Sequence, residues 1–246
     1  MKIEINVPDT LGEITLGQYQ KFEKLNTKEN QDTTFLLQKM VQIFCNLDLK
    51  DVATIKYKSV QEIVMHLNKV FDTKHSLIPT FELGGVKMGF IPVLDDMTLG
   101  EYIDLDDNLG DWQTMHKAMS VLYRPVTFSK GHKYQIEDYE GIVNAEAMKQ
   151  APLDVVFAAM VFFLSFKQRI NTNYPELFTE GNEQDDYSTE ANFGAKWGWY
   201  QSIYGLAQKD VTQFNTVTKL NVHQCLMYLA FEKEKMQLEK QLIKRK

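Results

Sequence analysis

The residues of this chain that could do chemistry are its carboxylates, five histidines and two cysteines. The string Asp104-Leu105-Asp106-Asp107-Asn108 opens like a calcium loop. An EF-hand needs glycine at its sixth position and a bidentate glutamate at its twelfth. Leu109 and Met115 occupy those positions, so the string reads as a solvated acidic helix end. His66, His75, His116, His132 and His223 form neither an HExxH pair nor a Cys/His zinc spacing, and read as isolated side chains. Asp95-Asp96 and Asp185-Asp186 are pairs that any acidic chain supplies by chance. No P-loop, dinucleotide fingerprint or nucleophile elbow occurs. Cys45 and Cys225 each lie in an apolar, helix-like segment and read as buried thiols. The expectation is a protein without catalysis, metal or cofactor.

Composition points the same way. With 246 residues and 44% hydrophobic content the chain can bury a core. Fifteen Phe, 11 Tyr and 3 Trp favour packed cores or protein interfaces over disorder. A net charge of −6 argues against phosphate-backbone binding as the main task, because that affinity comes from clustered Lys and Arg. The first residues, Met1-Lys2-Ile3-Glu4-Ile5-Asn6, alternate polar and apolar side chains, unlike a signal peptide. The longest apolar run, Val155 to Phe166, falls short of the roughly 20 residues that cross a bilayer, and reads as a buried helix.

The elements that would position any site are announced by an internal repeat. Residues 7–19 read Val-Pro-Asp-Thr-Leu-Gly-Glu-Ile-Thr-Leu-Gly-Gln-Tyr, and residues 91–102 read Ile-Pro-Val-Leu-Asp-Asp-Met-Thr-Leu-Gly-Glu-Tyr. Each copy predicts a strand running into a helix. Pro8 and Pro92 end strand pairing. Thr15 and Thr98 are N-caps, with Gln18 and Glu101 three residues on as capping boxes require. Ile14 with Tyr19, and Met97 with Tyr102, have the spacing of hydrophobic staples.

Phe35–Phe44 follows the first copy and Trp112–Tyr123 the second, both with apolar residues at helical spacing. Ser59–Phe71 reads as a further helix, and Thr80–Phe90 as a hairpin turning at Gly84-Gly85. Ile3, Ile5 and Val7 are the candidates to extend that hairpin into a small sheet, with Tyr134-Gln135-Ile136 as a further strand. Pro152 opens a long helix at its first turn. Residues 171–193 carry six acids and no Lys or Arg, and read as a loop or linker. Beyond it come a Trp/Tyr-rich helix, Ala195–Gln208, and a terminal helix from Val222 capped by Asn221 and Gln224. The end of the latter mixes Lys and Glu around Met236, Leu238, Leu242 and Ile243.

The fold expected is mainly α with a small antiparallel β element: two related strand–helix–helix units followed by a helical C-terminal part. Residues 1–170 would form the duplicated scaffold, 171–193 an acidic linker and 194–246 an aromatic-rich helical segment. The repeat's Thr15, Gln18, Thr98 and Glu101 are assigned to capping, which leaves little of its side-chain chemistry free. The partner-binding candidates lie elsewhere. Trp197, Tyr200 and Tyr204 share a helix face with Ile203, and Trp199 lies on another, which exceeds what one core face requires. Trp and Tyr concentrate in interaction hot spots, although a broadly apolar core helix has the same pattern.

A family resemblance rests on these residues. The segment Trp199-Tyr200-x-x-Ile203-Tyr204-x-Leu206-Ala207-x-x-Asp210, continued by Phe214-x-x-Val217-Thr218-x-Leu220-x-Val222-His223-x-x-Leu226-x-Tyr228-Leu229-Ala230-Phe231, resembles the C-terminal part of tail assembly chaperone-like proteins of tailed bacteriophages. Trp112 to Pro125 is similar to structural-module proteins of such phages. The resemblance implies a helical adaptor in the cytoplasm of the infected host. There it would bind a tape-measure protein while tail-tube subunits polymerise, and be absent from the finished particle. The alternative is a minor virion component of the neck, portal, ring or cargo type. Homo-oligomerisation fits either, and neither needs a nucleic acid or membrane ligand.

Overall fold

A computed structural model describes residues 5–31, 33–73, 76–131, 133–178 and 189–244, with the backbone alone for 189–195. In chain order the first half contains α1 (Leu16–Glu23), α2 (Thr34–Phe44), α3 (Leu49–Val52), α4 (Tyr57–Phe71), β1 (Thr80–Leu83), β2 (Val86–Phe90) and α5 (Leu99–Leu109). Then come α6 (Met115–Leu122), β3 (Tyr123–Lys130), β4 (Lys133–Ile136), α7 (Leu153–Asn173), α8 (Pro175–Phe178), α9 (Thr189–Leu206), α10 (Phe214–Thr218) and α11 (Val222–Lys244). The architecture is mainly helical with one small four-stranded antiparallel sheet, in the order β1-β2-β3-β4.

The chain folds as two compact units that interleave in sequence. One comprises Met1–Pro92 with Asn108–Phe162, the other Val93–Asp107 with Phe163–Lys246. These bounds differ from the division expected at 170 and 193: Thr15-Leu16-Gly17 lies in one unit and Thr98-Leu99-Gly100 in the other. The expected linker also differs. Residues 171–178 complete α7 and form α8, while the central acidic stretch lies outside the described residues.

Each repeat copy builds the same device. Leu16 is the first residue of α1, and its N–H donates to Ala151 O at 2.9 Å; Leu153, the first residue of α7, donates back to Ile14 O at 2.8 Å. In the second unit Leu99, opening α5, donates to Leu220 O at 2.8 Å, and Val222, opening α11, returns the bond to Met97 O at 2.9 Å. The first amides of a helix have no partner within it. Here two helix starts run antiparallel for a single bridge, Thr15 beside Pro152 and Thr98 beside Asn221, and satisfy one another. Leu16, Leu99, Leu153 and Val222 are all fully buried, so the bridge sits in each unit's core.

The capping boxes satisfy further amides of the same turns. Thr15 Oγ1 accepts from Gln18 N–H at 3.2 Å, and Gln18 Oε1 accepts from Thr15 N–H at 2.8 Å. Thr98 and Glu101 repeat this at 3.2 and 2.7 Å. The glycine of T-L-G is there for close approach. A Cβ on Gly17 would stand 3.0 Å from the Lys149 carbonyl, and one on Gly100 would stand 3.1 Å from that of Thr218.

In the first unit the Gly84-Gly85 turn closes the hairpin as its sequence predicts, both glycines having positive φ. The hairpin's neighbour is β3, which pairs Phe90 with Tyr123 and in turn carries β4. Ile5 and Val7 lie in no strand, and Ile3 is outside the described residues. The helical pattern ending near Tyr123 gives way to β3 because Pro125 forces Arg124 to extend, and Val126, Thr127 and Phe128 suit a strand. A strand therefore precedes the second motif copy, as β2, but not the first.

Candidate functional site

Several of the histidines and acids that the sequence offered as chemistry sit in hydrogen bonds or ion pairs that tie elements together. Asp104, Asp106 and Asp107 lie on helix α5, not on a loop that could wrap a cation. Asp106 takes one ion pair from Lys167, on α7, and a 3.0 Å hydrogen bond from Trp199 Nε1. Burial, together with Asp106 and Asp104 alongside, raises the Asp107 carboxyl above its usual range. Among the described residues no three His, Cys, Asp or Glu side chains are grouped to hold a metal ion. No described helix is long and apolar enough to cross a membrane.

Two histidines sit in polar chains. In the second unit His223 Nε2 lies 3.0 Å from Asp95 Oδ1, and its Nδ1 lies 3.1 Å from the Tyr174 hydroxyl. Arg169 holds both oxygens of Asp95 at 2.8 and 2.9 Å, and Asn221 Nδ2 donates to the Asp95 carbonyl at 2.7 Å. These bonds make a clamp across the segment before α5 and the start of α11, and burial raises the pKa of Tyr174. In the first unit the buried His116 accepts at Nδ1 from Gln20 Nε2 at 3.1 Å and faces Glu146 with Nε2 at 3.3 Å. The same Gln20 amide donates to Trp112 O at 2.7 Å, which fixes its orientation. His66 rests on the Pro8 carbonyl, while His75 and His132, like Asp185-Asp186, lie outside the described residues.

The aromatic segment near residue 200 is split where the sequence predicts one continuous helix. Gly198 has φ +38° and ψ −127°, a conformation that favours glycine, and α9 kinks there. A single helical wheel does not apply across the break. Trp199 turns inward, its ring edge-on to Tyr102 at 5.6 Å and its body against Leu99, Ala207, Val217 and Cys225. Trp197, Tyr200 and Tyr204 stay outside, 41, 49 and 43% exposed. Trp197 and Tyr200 meet at a tilt with ring centroids 5.5 Å apart, and Tyr200 meets Phe214 of α10 edge-on at 5.4 Å. Of the four expected binding residues, Trp197 and Tyr200 are in ring contact on the outside, Tyr204 is exposed further along the helix, and Trp199 packs inward.

The richest exposed apolar surface lies on the terminal helix, whose sequence pattern reads as a solvated charged face or else a docking arm or coiled-coil seam. Helix α11 leaves Met227, Tyr228, Phe231, Met236, Leu238, Leu242 and Ile243 exposed. The seven-residue spacing of the larger ones was the signal that could have found them. The expected apolar line of Met236, Leu238, Leu242 and Ile243 is divided, since at about 100° per residue Met236 and Ile243 fall on a different side from Leu238 and Leu242. The first unit adds an open groove of about 460 Å³ lined by Tyr19, Phe22, Met40, Phe71 and Phe157 among others. Compared with known protein families, curated proteins and solved structures, the chain matches none.

Proposed function

We propose that this chain is a non-enzymatic morphogenesis protein of a tailed bacteriophage, a tail assembly chaperone that holds a helical client of the tape-measure type. The observation that supports it most is the quantity of large apolar side chain left open on α9 and α11 of one unit. Exposed hydrophobics scattered singly need no explanation, whereas a row of them along a helix marks an interaction surface. Trp and Tyr are the residues from which binding hot spots are built. The helices that carry the row are fixed by the Leu99–Leu220 bridge and by the Asp95 and Asp106 clamps. A surface held in place loses little entropy when a partner arrives. In this reading the chain works in the cytoplasm of the infected host and leaves before the particle is complete.

Quantitative mass spectrometry of purified particles against infected lysate tests the reading. The expected result is a chain abundant in lysate and lacking from particles. A fixed, integral copy number in the particle would overturn it in favour of a minor virion component of the neck or ring.

A further inference from the structure

The outward face of α11 specifies the chemistry of the client helix, on the footing of the adaptor reading above. The inward face of that helix is Val222, Leu226 and Ala230, all buried. On the opposite side Tyr228, Phe231, Lys235, Leu238 and Leu242 follow at alternating steps of three and four, with Met227 beside them. That is the a/d spacing of a coiled-coil seam. Its apolar members are between 44 and 65% exposed, and nothing among the described residues covers them.

The charges are sorted about this seam. With Tyr228, Lys235 and Leu242 at a and Phe231 and Leu238 at d, the glutamates fall at e (Glu232 and Glu239) and g (Glu234). These three are all the acids that α11 has. Three of its four lysines, Lys233, Lys240 and Lys244, fall on the side of Leu226, away from the seam. Lys235 alone lies within it, 3.8 Å from Glu232.

We infer that this seam receives an amphipathic helix of another protein, apolar at a and d, lysine- or arginine-rich at e and g, and acidic opposite Lys235. The flanking charges disfavour a second copy of this chain. A parallel pair sets Glu234 against the partner's Glu239, and an antiparallel pair sets e against e, again glutamate on glutamate. Charges at e and g choose the partner in helix pairs, and a single lysine at a fixes register. The seam therefore rejects itself and selects a basic-flanked helix.

The test uses the full chain and two designed four-heptad peptides with the same Leu and Ile seam. One carries Lys at every e and g and one Glu opposite Lys235; the other carries Glu at e and g. Fluorescence anisotropy is expected to give the Lys peptide an affinity about tenfold or more above the Glu peptide. The triple variant E232K/E234K/E239K, with an unchanged circular dichroism spectrum, is expected to reverse that order. Equal binding of both peptides, binding of neither, or a dimer in sedimentation that is lost in L238E would each overturn the inference. The adaptor reading fails separately. If the Lys peptide binds yet the chain is integral to particles, the seam's chemistry stands and the chaperone role falls. If the chain is lacking from particles but neither peptide binds, the role stands and the partner chemistry falls.

Discussion

Leu99 and Leu220 meet through a 2.8 Å N–H···O bond that ties the start of α5 to the residues just before α11. Leu16 and Ala151 form its counterpart at 2.9 Å in the other unit. The T-L-G sequence is thus half of a paired helix start, and the duplication extends to partner segments whose sequences, Ala151-Pro152-Leu153 and Leu220-Asn221-Val222, share little.

The glycines of the two copies are expected to resist substitution. Gly17→Ala and Gly100→Ala each drive a methyl onto a backbone carbonyl that the adjoining bridge holds in place. Alanine gains something in helix propensity, but the overlap is expected to win by about 1 kcal/mol. Urea unfolding measures it, and an unchanged or raised midpoint for both variants would count against the paired-start account.

The capping residues differ in one testable respect. Gln18 accepts from Thr15 and also donates through Nε2 to the Ile43 carbonyl at 2.8 Å, at the end of α2. Gln18→Glu keeps the acceptor but sets a carboxylate against that carbonyl, and is expected to cost about 1–3 kcal/mol. Thr15→Ala, which loses the cap alone, should cost about 1 kcal/mol. Chemical denaturation of the two variants side by side should place Gln18→Glu at least as low as Thr15→Ala.

Much of this was legible in sequence and some was not. Capping boxes, the Gly84-Gly85 turn and the helix-opening Pro152 are local signals, set within a few residues. The bridges are invisible because they join backbone groups of distant segments and demand no particular side chains. β3 escaped because the apolar spacing through Leu122 and Tyr123 reads as helix until Pro125 interrupts it. The inward turn of Trp199 escaped because a wheel drawn through Gly198 assumes a continuity that the glycine breaks. That glycine was the available clue.

Trp199 and its neighbours should separate cleanly. Trp199→Ala removes packing from Tyr102 and the indole bond to Asp106, and is expected to destabilise by about 2–4 kcal/mol. Tyr204→Ala, at an exposed ring, should stay within about 0.5 kcal/mol of the parent. Thermal unfolding of both compares them directly; equal losses would remove the distinction between the packed and the exposed ring.

Burial pushes the Cys45 and Cys225 thiols from 9.0 up to about 11, and the Tyr19 hydroxyl from 10.0 up to about 12, where Glu23 adds to the effect. A group whose pKa is higher folded than unfolded stabilises below its unfolded value and ceases to as pH climbs through the folded one. Stability is therefore expected to fall as pH rises from about 9 toward 12. Denaturant midpoints at stepped pH should show it, and the Cys45→Ala, Cys225→Ala double variant should flatten the first part of the decline. Native thiols should also react slowly with an aromatic disulfide reagent at pH 8, and rapidly once the chain is unfolded.

At the acid end His116 is held below its usual 6.5, first by burial and then by Lys149, against the opposing pull of Glu146. Its neutral form suits the Gln20 amide, which donates to Nδ1. A depressed histidine stabilises above its unfolded pKa and loses that as pH falls. The first unit should weaken as pH drops below 6.5, with a proton uptake on unfolding that His116→Gln abolishes. Calorimetry in two buffers of different ionisation enthalpy measures that uptake, and its absence in the parent chain would contradict the assignment.

Solubility of a co-expressed client decides the central claim. A long helical protein of the tape-measure type, the client proposed above, is to be expressed alone, with the chain, and with a Phe231→Glu, Leu238→Glu variant that keeps its circular dichroism spectrum. The account predicts an insoluble client alone, a soluble complex with the parent chain, and loss of that complex with the variant. A client whose solubility is the same in all three expressions would contradict it.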